Sequence, residues 1–148
     1  MLVAEMEKCF HQSKVSASVC IQTIRDGCIR EFKAGRAIAD WGDTNYCTNI
    51  LVQHAEALLQ QEIAQNLAWA RKEKLRFPLT YDNTFNDFMQ AEVSWNEYAG
   101  SYCHAVTSEH STGTARGGYI QICRLRLIVN RVVEMRTFGP ENARGAMK

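Results

Sequence analysis

Residues 85–138 read FNDFMQAEVSWNEYAGSYCHAVTSEHSTGTARGGYIQICRLRLIVNRVVEMRTF, and the fold turns on how this stretch divides. In its first part Phe85, Phe88, Trp95, Ala99, Tyr102 and Val106 recur at spacings of three, four and seven, the period that gathers side chains on one helical face. This predicts a helix over Thr84 to Val106, with Glu92, Asn96, Glu97 and Ser101 on its solvated side. In the last part Tyr119, Ile122, Leu125, Val129, Val132 and Val133 repeat the pattern, while Arg124, Arg126, Arg131 and Glu134 mostly fall outside it. A second helix is expected over roughly Tyr119 to Thr137. Between the two, the small polar residues and glycines of His104 to Gly118 read as a loop. Cys103 closes the first helix and Cys123 opens the second. A disulfide between them would tie a helical hairpin at its mouth and, by loop-closure entropy, stabilise it by about 3 kcal/mol.

Working outward, Leu2, Val3, Met6, Cys9 and Phe10 mark a short amphipathic helix within residues 2–13. Val15 to Phe32 reads as two short helices joined by a turn at Asp26-Gly27, with Ser16 or Ser18 as the cap. Lys33 to Thr44 reads as irregular, with Trp41 over the core. Asn45 to Lys74 is the longest periodic run, and its helix should end by about Arg76 because Pro78 pushes Phe77 toward extended geometry. Asp82 or Thr84 is expected to cap the next helix, and Gly139-Pro140 to break the last one. No segment alternates with the period of a strand. The expected fold is all-α: one domain over residues 1–138, a disulfide-bonded and mainly antiparallel bundle of about four to six helices, then a flexible tail over 139–148.

Composition bounds the function. At 148 residues the chain suits one domain, and 46% hydrophobic with 22% charged residues is ordinary for a globular protein. A net charge of +1 argues against a general nucleic-acid binder. Nowhere do eighteen apolar residues run together, so no membrane span is expected. Six cysteines suit a disulfide framework in an oxidising compartment, with 15 possible pairings. Beyond Cys103 with Cys123, the working expectation pairs Cys9 with Cys47 and Cys20 with Cys28. No CxxC pair is present, and His11, His54, His104 and His110 do not stand at zinc-site spacing from the cysteines, so neither metal nor cofactor is expected. The opening Met-Leu-Val-Ala-Glu-Met-Glu-Lys lacks a basic region followed by an apolar one, so a leader peptide is expected to have been removed.

The order Gln90, Trp95, Tyr98, Cys103, Gly117-Gly118, Cys123 and Arg131 resembles the carboxy-terminal signature of the LprI-type lysozyme-inhibitor-like domains. Cys20-Ile21, Cys28 and Cys47 ahead of a long helix are similar to the front of such domains. The chain departs from the pattern at Gln22, where many relatives have glycine, and around Leu51 and Ala55. The resemblance implies a small helical protein of the bacterial envelope, periplasmic or secreted, that binds a lysozyme-like muramidase and has no enzymatic activity of its own. The alternative is a periplasmic immunity protein that neutralises a dedicated antibacterial toxin. The oligomeric state is left open.

Residue by residue, chemistry is sparse. Glu92 with Glu97 and Asp82 with Asp87 stand five apart, which does not share a helical face, so an exposed structural role is expected. His110 and Ser111 adjoin, but no elbow context marks an activated nucleophile. The run Gly113 to Gly118 lacks the lysine and preceding strand of a phosphate loop. Trp95 belongs to the apolar stripe and is expected in the core, as is His54. Tyr98 is expected to hydrogen-bond near Arg131, and Arg131 to pair with Glu92 or Glu97. The 104–118 segment is long for a helical hairpin, and long connections concentrate binding residues. Its candidates for partner binding are His104, Glu109, His110, Ser111, Arg116 and Tyr119. A histidine and an arginine on a protruding loop suit the two carboxylates of a muramidase cleft.

Overall fold

The longest apolar run folds as one helix, and it is longer than its periodicity indicates. Asp40 accepts a hydrogen bond from the Asp43 amide at 2.9 Å, while the Asp43 side chain accepts one from the Asp40 amide at 3.1 Å. This reciprocal capping box starts the helix at Trp41, inside the segment expected to be irregular. Gly42 leaves room for it, since a Cβ there would stand 3.0 Å from the Asp40 carboxylate. At the other end the helix stops at Arg76, ahead of Pro78 as expected. Its 36 residues span about 54 Å.

The computed structural model describes residues 2–33, 35, 40–109 and 113–140. Among these residues the chain is all-helical: α1 (Leu2–Cys9), α2 (Lys14–Phe32), α3 (Trp41–Arg76), α4 (Thr84–Val106) and α5 (Gly113–Phe138). Residues 141–148 of the expected 139–148 tail and the expected placement of the Trp41 side chain lie outside what is described. α4 has the bounds its periodicity predicts. Its N-cap is Asn83, without a side-chain bond to the helix, rather than Asp82 or Thr84; Asp82 instead faces Lys74 at 3.5 Å. α2 is a single helix. Ser13, not Ser16 or Ser18, caps it by accepting from the Ser16 amide, and it passes through Asp26-Gly27 without a turn. A lone glycine costs a helix only about 1 kcal/mol, less than the burial and the two disulfides that hold this one.

That unbroken helix also decides the cysteine pairing. Cys20 and Cys28, eight residues apart on one helix, are separated by about 12 Å, beyond the roughly 7 Å that a disulfide can bridge. The expected pairs Cys9–Cys47 and Cys20–Cys28 are therefore replaced by Cys9–Cys20 and Cys28–Cys47, with Cα atoms 5.5 and 5.9 Å apart. Cys103–Cys123 forms as expected, at 5.7 Å. No cysteine among the described residues is free.

α3 and α5 make the most extensive contact between any two helices, and α2 packs against α1, α3 and α5. The core lies where they meet: Met6 from α1 and Phe10 just past its end, Ile21 from α2, Leu51 and Leu59 from α3, Ile128 and Val132 from α5. α4 joins this core only at its edge. It buries Ala99 and Cys103, and Trp95 packs against the cluster partly covered. Elsewhere it is held to α3 by the Phe88 ring edge-on to Trp69 and by Arg71 over Phe85, 4.7 Å from the ring centre. α4 therefore keeps an exposed flank on either side of its buried stripe, with Met89 and Val93 exposed on one and Tyr98 and Tyr102 on the other.

Candidate functional site

The segment expected as a loop is mostly helix. His104 belongs to the last turn of α4, residues 107–109 form the turn, and α5 begins at Gly113. Glycines read as breakers here occupy the first turns of a helix that later packing holds. Gly118 is buried within them. The long protruding connection is thus corrected to a short one between residues 106 and 113.

Of the candidate binding residues, His104 and Arg116 meet: the Arg116 guanidinium Nη2 stands 3.5 Å from His104 Nδ1 across the hairpin end. Arg116 Nε is buried and makes no hydrogen bond. Glu109 is exposed on the turn. His110 and Ser111 lie outside the described residues. Behind this end the Cys103–Cys123 bond joins α4 to α5, and the Thr107 hydroxyl donates to the Cys103 carbonyl at 2.6 Å, satisfying one of the open carbonyls of the helix end. Tyr119 points elsewhere. It lines a cleft of about 270 Å³ between α2 and α5, closed at one end by Val106 and Thr107.

The cleft has an apolar floor of Ile21, Ile122, Leu125 and Val129. Its rim carries Ser18, Gln22, Arg25 and Arg126. The Ser18 hydroxyl donates to Asn130 Oδ1 at 3.4 Å, linking α2 to α5 beside it. None of these four rim residues was a candidate for binding in the sequence. The rim joins residues more than a hundred positions apart, and no local motif announces a cleft made by packing.

A second cleft, about 660 Å³, lies between the later turns of α3 and the end of α5. Its charges are largely engaged with one another. Arg136 donates to Glu62 at 2.6 Å and to Glu7 at 3.0 Å, and Arg76 stands 3.8 Å from the buried Glu73. Burial works to lower the Arg136 pKa, but the two carboxylates outweigh it and hold it above the ordinary arginine range.

The residues expected to be structural divide. Trp95 packs against the core, and Arg131 donates to Glu92 at 2.7 Å. Tyr98 does not join them. It is 55% exposed and stacks on Tyr102 with ring centres 5.5 Å apart. A step of one residue from Ala99, about 100° around the helix, carries it off the buried stripe to the flank of α4. His54 is half-buried on α3. Among the described residues no group of three or more histidines, cysteines or carboxylates could hold a metal ion, and no helix is long and apolar enough to cross a membrane.

Comparison with protein families, with curated proteins and with solved structures finds no match to this chain. The groups gathered at the α4–α5 end are the Arg116 guanidinium, the His104 imidazole and the exposed rings of Tyr98 and Tyr102, beside the Cys103–Cys123 bond.

Proposed function

We propose that this chain is a non-enzymatic binding protein of the bacterial periplasm or exterior, an antiparallel helical bundle whose α4–α5 end docks on a lysozyme-type peptidoglycan hydrolase. The observation that carries this reading is the His104–Arg116 contact at a hairpin end braced by Cys103–Cys123. The Arg116 guanidinium, set beside an imidazole on a disulfide-braced end, complements a muramidase cleft, whose catalysis depends on two carboxylates. Three disulfides among the described residues support an oxidising compartment. The resemblance to LprI-type domains agrees with the choice of partner.

The test is binding of the oxidised protein to a panel of lysozymes, together with a His104→Ala/Arg116→Ala variant. Tight binding that the variant weakens at least tenfold supports inhibition through this end. Equal binding by the variant removes the site, and no binding to any lysozyme removes the partner.

A periplasmic immunity protein is the second reading, favoured by one observation. The stacked, exposed Tyr98 and Tyr102 form an aromatic patch of the kind that anchors dedicated protein interfaces. That reading requires one toxin bound tightly, sensitivity to Tyr98→Ala/Tyr102→Ala, and indifference to lysozymes.

A further inference from the structure

We propose that the cleft between α2 and α5 is a binding site for a small amphipathic carboxylate, about the size of an eight-carbon fatty acid. The proposal stands independently of the partner reading above.

Charge is the first argument. Among the described residues, the only charged side chains lining the cleft are Arg25 and Arg126, and no carboxylate lines it. Arg25 has 16% of its side chain exposed, its nearest carboxylate is Asp26 at 3.7 Å, and its Nε is buried without a hydrogen-bond partner. Arg126 takes part in no ion pair among the described residues. The contrast on the same helix is informative, because Arg124, Arg131 and Arg136 each reach a glutamate at 2.7, 2.7 and 2.6 Å. Two guanidiniums beside one apolar floor repel each other and are short of partners: Asp26, 3.7 Å from Arg25, is the one carboxylate within ion-pair reach of either among the described residues. A carboxylate between them relieves both conditions, and a guanidinium matches its geometry with two parallel N–H donors.

The floor is the second argument. Ile21, Leu125 and Val129 are buried and Ile122 is half-buried, so the cleft offers hydrocarbon below its charged rim. A short alkyl chain laid on this floor removes apolar surface from water on both sides. An inorganic anion leaves that surface unused. Size is the third argument: about 270 Å³ lies just under the roughly 300 Å³ at which pockets for drug-sized ligands begin, which favours a short chain over a membrane lipid or a folded peptide.

The experiment titrates the oxidised full chain with octanoate, octylammonium and 1-octanol, read by calorimetry and by methyl shifts of Ile21, Ile122 and Val129. Octanoate is expected to saturate a single site below about 1 mM, with the shifts concentrated on those methyls. Octylammonium is expected not to bind. Arg126→Ala, at an exposed position, should weaken octanoate at least tenfold, whereas Arg124→Ala, outside the cleft on the same helix, should leave it unchanged. The proposal fails if octanoate does not saturate, if its shifts lie elsewhere, or if octylammonium or 1-octanol binds as well. It also fails if Arg126→Ala has no effect, or if both arginine variants weaken binding equally, which would mark a general charge effect.

Discussion

Arg131 on α5 donates to Glu92 on α4 at 2.7 Å, with only 19% and 12% of the two side chains exposed. The pair fastens the helix that joins the core least to the helix that joins it most. It is incompletely satisfied, since Glu92 Oε2 and Arg131 Nε are buried without partners. Removing one member leaves a buried charge uncompensated, and replacing both with apolar groups of similar size does not. Glu92→Ala should therefore cost about 3 kcal/mol in urea unfolding, while Glu92→Leu/Arg131→Met should be within about 1 kcal/mol of the parent or more stable. A double variant no better than the single one would show that the pair's own attraction dominates.

Disulfide connectivity gives the most direct check on the fold. Peptide mapping without reduction should recover Cys9 linked to Cys20, Cys28 to Cys47 and Cys103 to Cys123. Cys103→Ala/Cys123→Ala should lower stability by about 3 kcal/mol through the freed loop of the unfolded chain. Recovery of a Cys20–Cys28 peptide would mean that α2 is broken after all.

Arg136 ties three elements, bonding Glu62 of α3 and Glu7 of α1 while lying over the Phe10 ring, 5.7 Å from its centre. Its replacement by methionine strands two carboxylates and should cost about 3 kcal/mol. Because the folded-state pKa of Arg136 is raised, its contribution is fully present below the pKa of the unfolded arginine and is lost only as pH climbs through the folded value. The arginine's own titration should thus leave the cost of Arg136→Met unchanged between about pH 7 and 9, measured by parallel denaturant titrations. A cost that falls away across that interval would contradict the assignment.

Gly27 offers a change in the opposite direction. It lies inside α2, and a Cβ there would meet only the end of the Arg30 side chain, at 3.8 Å. Gly27→Ala should raise stability by about 0.5–1 kcal/mol, because alanine has less backbone freedom to lose and fits the helix. A destabilising result would point to a turn at Asp26-Gly27.

The helix bounds that were legible in the sequence are those set by strong local signals: the regular stripe of α4 and the proline beyond α3. The bounds that were not legible had weaker or ambiguous ones. Asp40 and Asp43 form a capping box that the glycine between them disguised as a loop. Gly113, Gly117 and Gly118 suggest a break, yet a helix anchored by Cys123 and the apolar residues after it can carry them in its first turns. Site residues followed the same division. His104 and Arg116 were visible because they flank one turn, and the Arg131–Glu92 pair because unpaired burial is costly. Arg25 and Arg126 were invisible, since their juxtaposition exists only once α2 packs on α5.

The cysteines pair strictly in chain order, first with second, third with fourth, fifth with sixth. No closed loop encloses or threads another. Each bond can therefore be made as soon as its own two helices exist, and a chain released from its amino terminus can be oxidised one step at a time. The order in which the thiols appear along the chain already matches the order in which they belong together, so no native pair has to wait for a cysteine that lies beyond the next pair.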